Sequence, residues 1–149
     1  MDSRVLAVVL ALLAMPAAAQ TVVDGDTIKL NGTTYRIWGI DAAETKQACA
    51  DGWMAGQEAS KAMLELVTGR KITCEARATD RYGRTVALCR ADGRDLGAAM
   101  VSAGMAWAFT RYSSDYVNQE RTAIGAGLGV HAHDCKKPWD WRAKGRPRG

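Results

Sequence analysis

The sequence predicts an α+β protein, mainly β: a five-stranded closed barrel of OB type with three helices. Three observations predict it. The strand and helix patterns run in the order three strands, helix, two strands, helix, helix. Asn31-Gly32 sits between two strand patterns as a two-residue hairpin signal. Five short strands with a helix after the third suit a small closed barrel.

Each element has a local reason. Residues 21–23 form a short apolar run, and residues 27–30 and 34–38 flank the hairpin signal. Ala55, Ala59, Ala62, Met63, Leu66 and Val67 recur at helical spacing, with Gly69 placed to cap the end. Residues 71–77 and 84–89 are two more strands, joined by a polar turn at 79–83. Asp92-Gly93 marks another turn. Asp95 is placed to N-cap a helix carrying Leu96, Ala99 and Met100 that stops at Gly104. Ser114 is placed to N-cap a third helix carrying Tyr116, Val117, Ile124 and Leu128.

Residues 1–19 read as a signal peptide. Arg4 precedes an apolar run at 5–15, and Pro16 comes before Ala17-Ala18-Ala19, a small-residue cleavage signal. The run is short for a membrane span and no second one follows. Residues 20–149 then suit one compact domain, exported to the periplasm or beyond, with no membrane contact after cleavage. The net charge of +4 permits a polyanionic partner without requiring one. Lys136, Lys137, Arg142, Lys144, Arg146 and Arg148 crowd the end, with Trp139 and Trp141 among them. They read as a short basic tail, either simply solvated or touching phosphates.

The densest chemistry lies between Asp24 and Glu44. Asp24-Gly25-Asp26-Thr27 is a turn between strands, and Gly25 is read there as a residue of unusual backbone freedom. Asp41-Ala42-Ala43-Glu44 sits at a strand exit, where spacing of three puts both carboxylates on one side. Asp26 and Asp41, with a carbonyl at Ala42, form a ligand set for one hard cation. Glu44 is left to hold or deprotonate a water. Arg36 within a strand and Arg84 at the start of another offer planar forks for phosphate oxygens. Two such forks would neutralise the charge that builds on a pentacoordinate phosphorus.

These residues resemble the staphylococcal-nuclease-like (thermonuclease) family. The resemblance rests on Asp24-Gly25-Asp26-Thr27, on Arg36 five positions before Asp41, on Asp41-Ala42-Ala43-Glu44 and on Asp80-Arg81-Tyr82-Gly83-Arg84. It spans residues 21 to about 128, and Pro138-Trp139-Asp140-Trp141-Arg142 is similar to the ending of exported bacterial members. It implies a five-stranded OB barrel with three helices. It also implies calcium-dependent hydrolysis of DNA and RNA that leaves 3′-phosphates, by a monomer with no stable protein partner. Asp26, Asp41 and the carbonyl of Ala42 would be the Ca2+ ligands. Glu44 would act on the attacking water, Arg36 and Arg84 would bind the scissile phosphate, and Arg81 and Tyr82 a neighbouring one.

The chain departs from the family at several places. Ala42-Ala43 stands where Thr-Pro or Ala-Pro is common. Thr110 stands where a base-stacking tyrosine is found, leaving Tyr112 or Trp107 as substitutes. His131 and Cys135 stand where many relatives carry tryptophan and phenylalanine. Two competing classes are a non-catalytic OB-fold nucleic-acid-binding module and a disulfide-bonded structural domain.

The cysteines Cys49, Cys74, Cys89 and Cys135 contain no C-x-x-C, which argues for disulfides over zinc. Cys74 and Cys89 lie in two strands expected to pair around the 79–83 turn, so they are the first pair. Cys49 and Cys135 follow by elimination. His131-Ala132-His133 is read as a surface loop beside that bond rather than a metal site.

Overall fold

The computed structural model describes residues 19–145; the expected leader therefore lies almost wholly outside the described residues. The strands are β1 (Gln20–Asp24), β2 (Thr27–Leu30), β3 (Thr33–Ile37), β4 (Ile40–Asp41), β5 (Ile72–Thr79), β6 (Thr85–Ala91), β7 (Arg94–Asp95) and β8 (Trp107–Ala108). The helices are α1 (Ala55–Val67), α2 (Leu96–Ser102), α3 (Val117–Gly125) and α4 (Pro138–Lys144), with a 3₁₀ turn at Gly129–His131.

β1, β2 and β3 form an antiparallel meander. Asn31 and Gly32 both take positive φ, 49° and 84°, the geometry of the tight turn their identities predict. β3 then lies parallel to β6, with Arg36 opposite Val86, and β5 pairs antiparallel to β6 on its other side. The path is β1-β2-β3-β6-β5, with β7 added at the far end of β6 and β4-β8 as a separate two-stranded ladder.

Two expectations are corrected here. The strands form a mixed sheet, and no ladder joins β1 to β5 to close a barrel among the described residues. At the β1 edge the neighbour is α1 instead: Gln20 Nε2 donates to the Val67 carbonyl at 2.8 Å. The described residues also hold four α-helices rather than three, because part of the expected basic tail is α4. Pro138 opens that helix, Asp140 lies in its first turn, and Arg142 and Lys144 lie in its last, all favourable to a helix there.

The main core gathers Ile28, Ile37, Ile40, Met63, Leu96 and Met100 between the sheet and helices α1 and α2. Burying each such side chain stabilises the fold by roughly 1.5–3 kcal/mol. A smaller cluster of Ala43, Cys49, Ala55, Trp107 and Val130 packs with Cys135 and Trp139. It joins the segment after β4 to the segment before α4.

Local caps hold in part. Asp95 accepts from the Ala98 N–H at 3.1 Å and caps α2 as expected. Ser114 does not cap α3, which starts at Val117 with Tyr116 in the cap position. The Tyr116 ring is buried and its hydroxyl donates to Asp95 at 2.9 Å, so residues 114–116 form a turn that delivers that ring to the core.

Both expected disulfides are present, Cys74–Cys89 and Cys49–Cys135. Cys74 and Cys89 are direct cross-strand partners in the β5-β6 ladder.

Candidate active site

Gly25 is at the centre of how the site is built, for a reason different from the expected one. Its φ is not in the positive region. A Cβ there would lie 2.6 Å from Ala59 Cβ and 2.9 Å from Ala42 Cβ. The β1-β2 turn is thus pressed against α1 and against the residue that follows Asp41. Only glycine permits this approach without displacement, and the approach puts Asp26 beside Ala42.

Asp26 is buried and fully engaged. Its Oδ2 accepts from the Ala42 N–H at 2.7 Å, and its Oδ1 accepts from the Thr27 hydroxyl at 3.1 Å and pairs with Arg36 Nη1. Burial alone would raise its pKa. The Arg36 charge and the Ala42 N–H outweigh burial and hold it below the usual carboxylate range. Asp24 goes the other way: burial and then the Asp26 charge push it up to about 6.

Arg36 ties the two predicted cation ligands together. Its Nη2 lies 2.9 Å from Asp41 Oδ1 while Nη1 holds Asp26, so one guanidinium spans both carboxylates. Burial opposes the Arg36 charge, but Asp26 and Asp41 overcome it and keep its pKa raised. The Asp41 side chain is 1% exposed. Burial pushes its carboxyl up against the opposing pull of Arg142 and Arg36.

Glu44 is held from below. Its N–H donates to Gln47 Oε1 at 3.1 Å, and Gln47 Nε2 donates to the Lys136 carbonyl at 2.8 Å. Gln47 is fully buried and braces the Glu44 turn against the segment leading to α4. The Glu44 carbonyl leaves no room at Gly56, where a Cβ would sit 1.8 Å from it.

Arg84 lines the same cleft from the residue just before β6, the strand parallel to the one carrying Arg36. Asp80 orients it: Oδ2 accepts from Arg84 Nε at 2.7 Å, and Oδ1 accepts from the Arg84 and Tyr82 N–H groups, each at 2.9 Å. The Arg81 and Arg84 guanidiniums sit 4.9 and 5.5 Å from the centre of the Tyr82 ring, which is 70% exposed. Tyr112 also lines the cleft, is 54% exposed and stands 5.1 Å from Phe109. Trp107 is buried against His131, so of the two proposed stacking aromatics only Tyr112 faces the cleft. The cleft encloses about 930 Å³.

The sequence places Arg142 in a basic tail; in the structure it reaches into the cleft from α4. Its Nη2 lies 2.6 Å from Asp41 Oδ2, and its Nη1 lies 2.6 Å from Glu44 Oε1 and 3.2 Å from Asp41 Oδ1. Trp139, three residues earlier, packs on Phe109 at 5.5 Å. The helix signals at Pro138 and Asp140, with Trp139 and Arg142 on one face, were the available clue.

The donor chemistry fits a hard cation: two buried carboxylates, Asp26 and Asp41, held together by one guanidinium, with the Ala42 main-chain carbonyl directly after Asp41 in sequence. Among the described residues, no group of three His, Cys, Asp or Glu side chains is placed to hold a metal. The histidine tract forms no shared site. His133 stacks on Trp53 at 4.3 Å and bonds Asp51 at 2.7 Å, whereas His131 turns its edge to Trp107.

A family profile described as staphylococcal nuclease homologue matches residues 34–129, more than half of the chain. The chain belongs to the staphylococcal nuclease homologue family. The match contains Arg36, Asp41, Glu44 and Arg84; Asp26 lies before it and Arg142 after it. A succinoglycan biosynthesis protein of Rhizobium meliloti is 33% identical over 74% of this chain and 61% of its own length. An uncharacterized endonuclease of Haemophilus influenzae is 32% identical over 80% of this chain and 68% of its own. One from Escherichia coli is 35% identical over 81% of this chain and 80% of its own. The chain thus spans less than two thirds of the first of these relatives. Among the described residues, no helix is long and apolar enough to cross a membrane.

Proposed function

We propose that this family member is an exported, calcium-dependent nuclease acting on DNA and RNA with little sugar or sequence specificity. The products would be 3′-phosphates, and the working form a monomer. One observation carries the reading: Asp26, Arg36, Asp41 and Glu44 meet in a single cleft that Arg84 also lines. The relatives named as endonucleases and the two disulfides support it.

Asp26, Asp41 and the Ala42 carbonyl would hold the calcium ion, whose bound charge would help to neutralise the phosphate. Arg36 and Arg84 bind the scissile phosphate and stabilise its extra negative charge as the water adds. Glu44 orients that water or takes its proton. Arg81 and Tyr82 engage the neighbouring phosphate, and Tyr112 offers a face for a base.

A second reading keeps the cleft but drops the chemistry: a nucleic-acid-binding module. The contact of Arg142 with Glu44 favours it, because a carboxylate oxygen occupied by a guanidinium is not turned to a water. Digestion of DNA and RNA by the purified protein, with calcium or with chelator, separates the two. Calcium-dependent release of acid-soluble fragments, lowered about 10²–10⁴-fold in Glu44→Gln, is expected. Binding without cleavage would replace the first reading with the second.

A further inference from the structure

Arg142 takes up much of the accepting capacity that a cation at Asp41 would need. Its two terminal nitrogens reach both oxygens of Asp41 and one of Glu44. Asp41 Oδ1 also accepts from Arg36, so both oxygens of this nearly inaccessible side chain are already engaged. The Arg142 side chain is itself 36% exposed and lines the cleft. Arg36, by contrast, is walled in at 15%. Of the two guanidiniums on Asp41, Arg142 is the one with room to leave.

Its position is also fastened. α4 begins three residues after Cys135, which is bonded to Cys49 on the far side of Glu44. Gln47 grips the Lys136 carbonyl in between. The helix therefore remains beside the site even when the Arg142 side chain swings away. A flexible tail would not keep a charge at such high local concentration.

We propose that Arg142 is a tethered counter-ion of this site, which a divalent cation must displace from Asp41 and Glu44 in order to bind. It sets how tightly the site takes the cation, and when displaced it frees Glu44. The inference rests on the reading that Asp26 and Asp41 are the cation ligands. Two positive charges on one carboxylate repel, so whatever holds Arg142 in place weakens the cation, and the cation loosens Arg142 to the same degree.

The test is calorimetric titration of calcium into the intact, oxidised protein and three variants, with no substrate present. Arg142→Gln should bind calcium about tenfold tighter or more, within the usual range of coupling between two ligands. Arg142→Lys keeps the charge but loses the planar fork and should fall between the two. Arg111→Gln removes the same charge from the cleft wall without touching the carboxylates and should bind like wild type. In metal-free buffer Arg142→Gln should melt below wild type, and saturating calcium should raise its melting temperature by more. Equal or weaker calcium binding by Arg142→Gln overturns the inference while leaving the cation ligands in place. Equal tightening by Arg111→Gln also overturns it, because a general field would then suffice. No calcium binding by any form overturns the assignment of Asp26 and Asp41, and the inference with it.

Discussion

The main-chain N–H of Ala42 donates to Asp26 Oδ2 at 2.7 Å, tying the β1-β2 turn to the exit of β4. A site carboxylate thereby doubles as a structural clamp. Asp26→Asn removes the charge that faces buried Arg36 and is expected to destabilise the protein by about 3 kcal/mol. Its folded pKa is depressed, so its contribution is complete above the ordinary carboxylate pKa of about 4 and is lost as pH falls through the lower folded value. Urea unfolding at neutral pH and near pH 3 checks this. Equal midpoints at neutral pH would show that the Asp26 charge contributes nothing.

Gly56→Ala should damage the site without removing any group from it. The added methyl would collide with the Glu44 carbonyl, which is backbone and cannot turn aside as a side chain can. Both turnover and melting temperature are expected to fall. A variant that melts normally and cleaves normally would mean that the α1 start can move away from the Glu44 turn at no cost.

The two disulfides should differ in weight. They close separations of 15 and 86 residues. The chain-entropy model gives about 3 kcal/mol for the shorter and between 4 and 5 for the longer. Paired Cys→Ser replacements, followed by denaturant unfolding, measure each. A larger loss for Cys74/Cys89 than for Cys49/Cys135 would contradict loop entropy as the main cause.

His131 should contribute an acid-sensitive step. Burial lowers its pKa, and its Nε2 is enclosed without a hydrogen-bond partner. The folded state therefore resists protonation that the unfolded chain accepts. Stability from this group is present above about pH 6.5 and declines as pH drops through the lower folded value. His131→Gln should flatten that part of the curve, seen as melting temperature against pH. An unchanged slope would assign the acid step elsewhere.

Much of the site was legible because its residues sit on local signals. Asp26 lies in a turn, Asp41 and Glu44 at a strand exit, and Arg84 next to the turn made by Asp80. The local signal marks each position, although long-range contacts such as Ala42 N–H to Asp26 and Arg142 to Asp41 fix the side chains. Arg142 was not legible as a site residue, since its contact with Asp41 spans 101 positions. The basic residues around it resemble a solvated tail, whereas Pro138 and Asp140 are signals for the helix that carries it. Gly25 was legible as necessary, but the reason is crowding by Ala59 and Ala42, which a sequence does not display. Trp107 shows the converse: an aromatic residue in the right region, whose burial only packing could decide.

The parallel pairing of β3 with β6 also has a meaning in time. β1, β2 and β3 can assemble through neighbouring hairpins, and so can β5 with β6. Joining β3 to β6 closes about fifty residues of chain at an entropic cost and is expected late in folding. Arg36 and Arg84 stand on opposite sides of that seam. A chain with both hairpins formed but the seam open would carry half of its phosphate grip on each piece. During refolding, cleavage should therefore return with the slowest structural phase rather than with the first gain of strand signal. Stopped-flow circular dichroism run beside a timed nuclease assay would show the two separated, and activity appearing with the early phase would place the seam among the first contacts made.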